Sequence, residues 1–359
     1  MINCKYFMSF FVITSLIVSS CKKFDLEDNA NTFFNVKING AELPVWIKGN
    51  TKSKKMIIYI NGGPGGTSLG DAKADIFKWS EKLEKSFAMV YYDQRGTGNA
   101  QGNFDEGTLT IDQYVKDLDA IITILKTKYD NPEVFLIGHS FGSFIGVSYL
   151  LYQNFEKKIA GWISIDGAYF MDQSLYWQYR RTFLINIANE EIAKGNNVAE
   201  WQEALDWANN NLAINTGEQE NKFMNYLYLT DPTKSVMNKE DKLKSKSFKQ
   251  ILSILFTSSY NSLPAYASFH YNVVSDKLRK DAEGKNFVST VSSLTLPAMF
   301  IWGKYDWNVP PEIGQEVFNN MGTNSSDKFF KLMPNSSHVP YLSDPEVLQN
   351  EITDFVTKY

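Results

Sequence analysis

The chain has 359 residues, of which 43% are hydrophobic and 21% charged, with a net charge of −4. That balance fits one large globular domain, or a core domain carrying an insertion, and excludes a disordered or low-complexity chain. It also argues against a nucleic-acid partner: the longest basic cluster, KLKSKSFK at 242–249, reads as a solvated helical face, and no nucleic-acid-binding signature accompanies it.

Residues 1–20, MINCKYFMSFFVITSLIVSS, carry one lysine, then an apolar run of about a dozen residues, then small residues, as a cleaved export signal does. The run is too short to span a membrane as a helix. It ends at V-S-S-C, with Cys21 last, and this resembles the lipobox of bacterial lipoproteins. The resemblance implies that Cys21 is acylated and becomes the new N-terminus. It also implies an exported protein, lipid-anchored to a bacterial membrane and facing the periplasm or the cell surface. Residues 21–31 then read as a short polar tether. The two cysteines are Cys4, lost with the signal, and Cys21, so the folded part has no thiol for a disulfide, a metal or catalysis.

FFNVKI (33–38) and LPVWIK (43–48) read as strands joined by a tight turn at Asn39–Gly40. MIIYI (56–60) is wholly apolar, as a strand covered on both faces should be. ADIFKWSEKLEKSF (74–87) has helical spacing, and AMVYY (88–92) is another buried strand. IDQYVKDLDAIITILKTKY (111–129) is a long amphipathic helix starting near Thr110 or Asp112. EVFLI (133–137) is a strand, FGSFIGVSYLLYQ (141–153) a helix and WISID (162–166) a strand. Such alternation predicts a mostly parallel sheet wound on right-handed crossovers. From Gly167 to Ser293 helical patterns, aromatics and charge replace it. The alternation resumes with LPAMFIWG (296–303), PEIGQEVFNNM (311–321), KFFKLM (328–333) and a closing helix at 344–359. The simplest account is a core made of 32–166 and 294–359, interrupted by a helical insertion, 167–293, that caps it.

Two stretches fit the G-x-S-x-G rule for a serine nucleophile: GTSLG at 66–70 and GHSFG at 138–142. A nucleophile elbow needs a strand before it and a helix directly after it. GHSFG has both, and GTSLG has no strand immediately before it, so Ser140 is the expected nucleophile and Ser68 is not. The glycine-rich NGGPGG (61–66) is then free for another task. It follows the third strand, where a site built round such an elbow keeps a backbone oxyanion donor. The expected oxyanion hole is the backbone N–H of Gly63 and of Phe141. A phosphate loop is the weaker reading, because no Gly-Lys-Ser/Thr follows.

A serine attacks only with a base, and the base needs an orienting carboxylate. Of the three histidines, His139 sits inside the elbow and is too constrained to be the base, and His270 stands alone in the insertion. His338, in NSSHVPY between the last strand and last helix, is the expected base. Asp306, in GKYDWNVP just after a strand, is the expected acid. Asp344 reads instead as the N-cap of the final helix, with Pro345 at its first position. The histidine pattern and missing thiols suggest no metal, and no cofactor is expected.

With NGGPGG at 61–66, DQRGTGNA at 93–100, the GHSFG elbow, G-K-Y-D and S-H-V-P in place, the sequence resembles the α/β-hydrolase superfamily, and within it the proline iminopeptidase group. The resemblance implies an eight-stranded, mostly parallel sheet with helices on both faces and a helical cap. It makes Ser140, Asp306 and His338 a triad in the Ser…Asp…His order of such folds. Asp93 and Arg95 would brace loops near the site, reading as a structural salt bridge. Two positions depart from the group: Asn61 stands where it usually has His, and the insertion lacks the acidic pattern that grips a substrate's free ammonium. Glu190, Glu191, Glu200 and Glu203 are candidates for that role by position alone, and exposed helical carboxylates are their simpler reading. The expected activity is a serine hydrolase acting as an aminopeptidase on short peptides. An esterase or acylase on a small apolar acyl compound is the alternative, and a non-catalytic binding protein on the same fold the third. The aromatic runs FMDQSLYWQYRRTF and FTSSYNSLPAYASFHY suit an apolar pocket under the cap, or packing between cap helices.

Overall fold

The first two strands, β1 (Ala30–Ile38) and β2 (Ala41–Gly49), form an antiparallel hairpin. Its turn has Asn39 at φ 43° and Gly40 at φ 77°, both left-handed, as a two-residue hairpin turn requires. The computed structural model describes residues 23–229, 236, 239–240, 247–249 and 271–359. Cys21, His270, the aromatic run from 256 to 270 and most of the basic cluster at 242–249 lie outside the described residues.

The remaining strands are β3 (Lys55–Ile60), β4 (Ala88–Tyr92), β5 (Gln101–Gly102), β6 (Glu133–His139), β7 (Gly161–Ile165), β8 (Ala298–Gly303) and β9 (Lys328–Met333). They run in the order β1-β2-β4-β3-β6-β7-β8-β9. Pairing is parallel from β4 through β9 and antiparallel for β1–β2 and β2–β4. The eight expected strands make this path. The ninth, β5, is a two-residue addition on β2 with both residues exposed, too short to leave a sequence pattern. The strand order reverses at β3, which lies between β4 and β6. That reversal opens a crevice at the carboxyl ends of β3 and β6.

The helices are α1 (Leu69–Lys73), α2 (Leu83–Ser86), α3 (Ile111–Lys128), α4 (Phe141–Leu151), α5 (Gln173–Ala193), α6 (Val198–Asn210), α7 (Gly217–Leu227), α8 (Tyr271–Ala282), α9 (Pro311–Asn320), α10 (Pro340–Ser343) and α11 (Pro345–Lys358). Alternate residues of β3 enter opposite cores. Met56, Ile58 and Ile60 belong to the core shared with α3, α4 and α9, and Ile57 and Tyr59 to the core shared with α2 and α11. That is why the strand reads as an unbroken apolar run. The cap-like helices α5, α6 and α7 bury their own core around Trp177, Trp201 and Phe223, which Tyr305 joins from the loop after β8. Among the described residues no helix is long and apolar enough to cross a membrane.

The expected helix over 74–87 does not form. Asp75 (φ 51°) and Lys78 (φ 53°) break it, leaving one 3-10 turn at Trp79–Glu81 and the single turn of α2. Phe77 and Trp79 are both buried, stacked 4.5 Å apart, with Trp79 edge-on to Tyr59 at 5.0 Å. Residues two apart point to different faces of a helix, so burying both against the sheet forces the backbone out of one.

Arg95 is fully buried and forms a fork with Asp117 of α3, Nη2 to Oδ1 at 2.7 Å and Nε to Oδ2 at 2.9 Å. Its other donors reach the carbonyls of Asn39 and Ile38, tying the first hairpin to α3. Burial pushes the Asp117 carboxyl up despite the guanidinium beside it, the sign of a desolvation cost that the pairing offsets only in part. Removing one partner is different, because it strands the other charge. Asp117→Ala should destabilise the fold by about 3–5 kcal/mol, measured by urea denaturation; a loss under about 1 kcal/mol would show that the guanidinium is readily rehydrated.

Candidate active site

Strand β6 ends at His139 and helix α4 begins at Phe141, so the whole reversal falls on Ser140. Ser140 has φ 53° and ψ −124°, a conformation costly for a residue with a side chain. Its backbone is held on both sides: its N–H donates to Ile165 O at 3.0 Å, and its carbonyl accepts from Ser143 N and Ala168 N. The flanking glycines are steric requirements. A Cβ on Gly142 would stand 2.0 Å from Ile60 O, and one on Gly138 would meet Trp162 at 2.5 Å and the Ser143 Cα at 2.7 Å. The first N–H groups of α4 have no acceptor within the helix and carry partial positive charge.

The 61–66 loop lies against this turn. Asn61, in the place of the resembled group's histidine, pins it: Nδ2 donates to Thr67 O at 2.6 Å, and Oδ1 accepts from Gly62 N at 2.9 Å. Gly63 has φ 127°, and it lines one cavity of about 80 Å³ together with Ser140 and Phe141. Both expected oxyanion donors thus belong to residues at the same opening as the Ser140 side chain. Ser68 is buried elsewhere, its hydroxyl donating to Tyr92 O at 2.5 Å.

Asp93 holds this region by accepting from Thr67 Oγ1, Ser68 N and Leu69 N on one oxygen and from Asn99 on the other. The sequence reading of Asp93 and Arg95 as a salt bridge is therefore corrected. Arg95 pairs with Asp117, and Asp93 gathers backbone N–H groups of the two loops.

Asp306 follows β8 and is fully buried. Its Oδ1 accepts from Asn308 N at 2.9 Å and Val309 N at 3.0 Å, and its Oδ2 meets His338 Nδ1 at 2.8 Å. A carboxylate so held fixes the proton on Nδ1 and leaves Nε2 as the basic nitrogen. His338 is also tied to the elbow, because His139 Nε2 lies 2.8 Å from His338 O and the two rings are 5.1 Å apart. The rival acid, Asp344, stands at the start of α11, but its side chain makes no capping hydrogen bond; its carbonyl accepts from Leu348 N instead. The short α10 runs directly into α11 and turns the Asp344 backbone away from the extended conformation that a capping side chain uses.

Two buried carboxyls beneath this pair escape a sequence reading. Asp166, just after β7, has φ 46° and is fully buried, with Oδ1 accepting from Gly303 N at 2.8 Å. Burial, and next the Asp306 charge beside it, push its carboxyl well above the usual carboxylate range. Its Oδ2 is buried with no hydrogen-bond partner among the described residues. Glu240 of the cap region accepts from Ser337 N at 2.6 Å. Ligand-type atoms of His139, Asp166 and His338 lie within 4.8 Å of one another, but each of these side chains is already hydrogen-bonded, so the cluster reads first as a network supporting His338. An acid leaving a buried strand at the sheet's carboxyl edge was the available signal for Asp166. Glu240 had none.

The proposed ammonium-gripping glutamates are occupied elsewhere. Glu190 pairs with Lys194 and Lys304, Glu191 with Lys194, and Glu203 with Lys222, while Glu200 is exposed at the start of α6. None of them is among the described residues lining the Ser140 cavity.

A raised folded-state pKa at Asp166 contributes stability below the ordinary carboxylate pKa of about 4, and that contribution is lost as pH rises toward the folded value. Asp166→Asn keeps a neutral donor and acceptor and removes that loss. Its melting temperature should therefore gain on wild type as pH rises from about 4 to 8. Asp166→Ala, which strands the Gly303 N–H, should cost about 1–3 kcal/mol at any pH. Parallel pH profiles for wild type and Asp166→Asn in scanning fluorimetry would mean that Asp166 is ionised.

Comparison with known proteins agrees with this architecture. A family model described as alpha/beta hydrolase fold matches residues 55–345. A Bacillus subtilis (strain 168) protein named probable aminopeptidase YbaC is 21% identical over 325 residues, covering 89% of this chain and 94% of its own. The proline iminopeptidase of Saccharolobus solfataricus is 26% identical over 108 residues, 30% of this chain and 32% of its own. Among solved structures, a thermophilic esterase from Thermogutta terrifontis superposes with a TM-score of 0.54 at 16% identity, over 90% of this chain and 98% of that one.

Proposed function

This chain belongs to the alpha/beta hydrolase fold family, and from that premise we propose that it is a serine hydrolase working through an acyl-enzyme. The observation that carries the reading is the part-buried Asp306–His338 hydrogen bond, tied through His139 to the strained turn at Ser140. In this reading Ser140 Oγ attacks the substrate carbonyl while His338 Nε2 takes the hydroxyl proton. Negative charge develops on the carbonyl oxygen, which the N–H groups of Gly63 and Phe141 receive. Collapse breaks the bond to the leaving nitrogen or oxygen, and His338 returns the proton to it. Water then attacks the acyl-serine by the same steps, releasing the acid and restoring the hydroxyl. Asp306 holds the imidazole in one tautomer and faces the positive charge that forms on it.

The likeness to an aminopeptidase along 94% of that protein's length supports a peptidase acting on short peptides. The cavity walls favour a second reading, an esterase on a small acyl group. Arg180 and Arg279 line the cavity, and no described lining residue is a carboxylate able to grip an ammonium. Cys21 would carry the lipid anchor in either case.

The test is a panel of a prolyl arylamide, its N-acetylated twin and a short-chain ester, with fluorophosphonate labelling of the nucleophile. Ser140→Ala should abolish labelling and lower turnover by about 10⁴-fold or more. Turnover of the free amine alone supports the peptidase, and turnover of the ester or acetylated substrate the esterase. A protein that neither labels nor turns over any substrate would be a binding protein on this fold. Mass spectrometry of the mature chain should find an acylated Cys21 terminus; an unmodified terminus at Lys22 would refute the anchor.

A further inference from the structure

Two guanidinium groups border the cavity that holds Ser140. Arg180, on α5, lies near two aromatic rings, 5.6 Å from the Tyr176 ring and 5.6 Å from the Trp307 ring. It is half-buried, and burial lowers its pKa, the mark of a cation partly drawn out of water. Its hydrogen bonds go to neutral acceptors: Nε to Trp307 O at 3.2 Å, and Nη2 to Asn308 O at 3.2 Å and Oδ1 at 3.4 Å. Arg279, on α8, is more exposed, with Nε donating to Ser275 Oγ at 3.2 Å and Nη2 to the Gly63 carbonyl at 3.4 Å.

Among the described residues neither arginine is in an ion pair, whereas the buried Arg95 is. Asp306 and the exposed Glu220 of α7 act on Arg180 electrostatically, but neither forms an ion pair with it, and the Asp306 oxygens are taken by two backbone N–H groups and His338. A partly desolvated cation without a counter-ion is costly, and it is satisfied when an anion arrives. Among the described residues the bonds of both arginines engage only Nε and Nη2, which leaves the Nη1 donors for a carboxylate.

Resting on the serine hydrolase reading, we propose that this site takes a substrate with a carboxylate close to the scissile bond, held by Arg180 and Arg279. The same pair would repel the free ammonium that an iminopeptidase grips. The carboxylate is bound and not consumed, and the bond that breaks is the acyl C–N or C–O bond. It has two possible sources: the leaving group, as in a dipeptide, or the acyl group, as in a monoester of a dicarboxylic acid.

Two substrate pairs separate these sources in the full chain. Ala–Ala against Ala–Ala amide places the charge on the leaving side, and p-nitrophenyl hydrogen glutarate against p-nitrophenyl methyl glutarate places it on the acyl side. The anionic member should be favoured about tenfold or more in kcat/KM in one pair, which names the side. Arg180→Gln should cut that anionic-to-neutral ratio about 10- to 100-fold, and the more exposed Arg279→Gln about 3- to 10-fold. Arg180→Lys should restore part of the ratio, since it keeps the charge without the planar fork. The proposal is overturned if wild type shows no anionic preference in either pair, or if Arg180→Gln leaves the ratio unmoved. If Ser140 labels but neither pair turns over, slowing of labelling by glutarate and not by glutaramide becomes the supporting result, and equal effects the refuting one. Labelling of Ser140 without any carboxylate preference sinks this inference alone. No labelling and no turnover sinks the hydrolase reading with it.

Discussion

The site depends on the backbone of one residue. Ser140 must hold a left-handed conformation between a strand and a helix packed so closely that the flanking positions tolerate no Cβ. Such a conformation persists only where the surroundings over-determine it. Here they include the Ile165 carbonyl, the Ser143 and Ala168 N–H groups, and the approach of Ile60 to Gly142. Because β6 neighbours β3, the same constraint brings the 61–66 loop to the elbow. Strand order and local strain cooperate: the chain reverses where the crevice opens, and the hydroxyl is presented there.

Around that turn the polar groups are arranged in depth. Asp306 is anchored by two backbone N–H groups before it meets His338, so the imidazole receives a preset orientation. Below it lies Asp166, whose carboxyl is pushed well above the usual carboxylate range by burial and by the neighbouring negative charge. Asp306 accepts from two backbone N–H groups as well as meeting His338, while Asp166 accepts from one, that of Gly303.

The cap-like helices bring charge to the cavity. They carry their own apolar core, α5 places Arg180 in the cavity lining, and α8 brings Arg279 to the Gly63 carbonyl. The charge at the mouth is therefore set by elements outside the sheet. Folds of this family share a nucleophile geometry and differ in what lies above it. In this chain two cations share the cavity lining with Ser140, while the nearby glutamates of α5 are held by lysines.

Much was legible in the sequence, because much is local. Strand and helix periods, the Asn39–Gly40 turn, the Thr110 cap and the strand–Gly-His-Ser-Phe-Gly–helix context are decided by neighbours a few residues apart. They located the sheet, the elbow and the loops that bring Asp306 and His338 together. The helix expected over 74–87 failed because burying Phe77 and Trp79 against Tyr59 outweighed local helical spacing. The rest joins residues far apart in the chain. Asp166 meets Gly303 across 137 residues, Arg279 meets Gly63 across 216, and Arg95 chooses Asp117 over the nearer Asp93. Sheet register and cap docking decide those meetings. Periodicity records which face of an element is buried, but it does not record what lies on the other side.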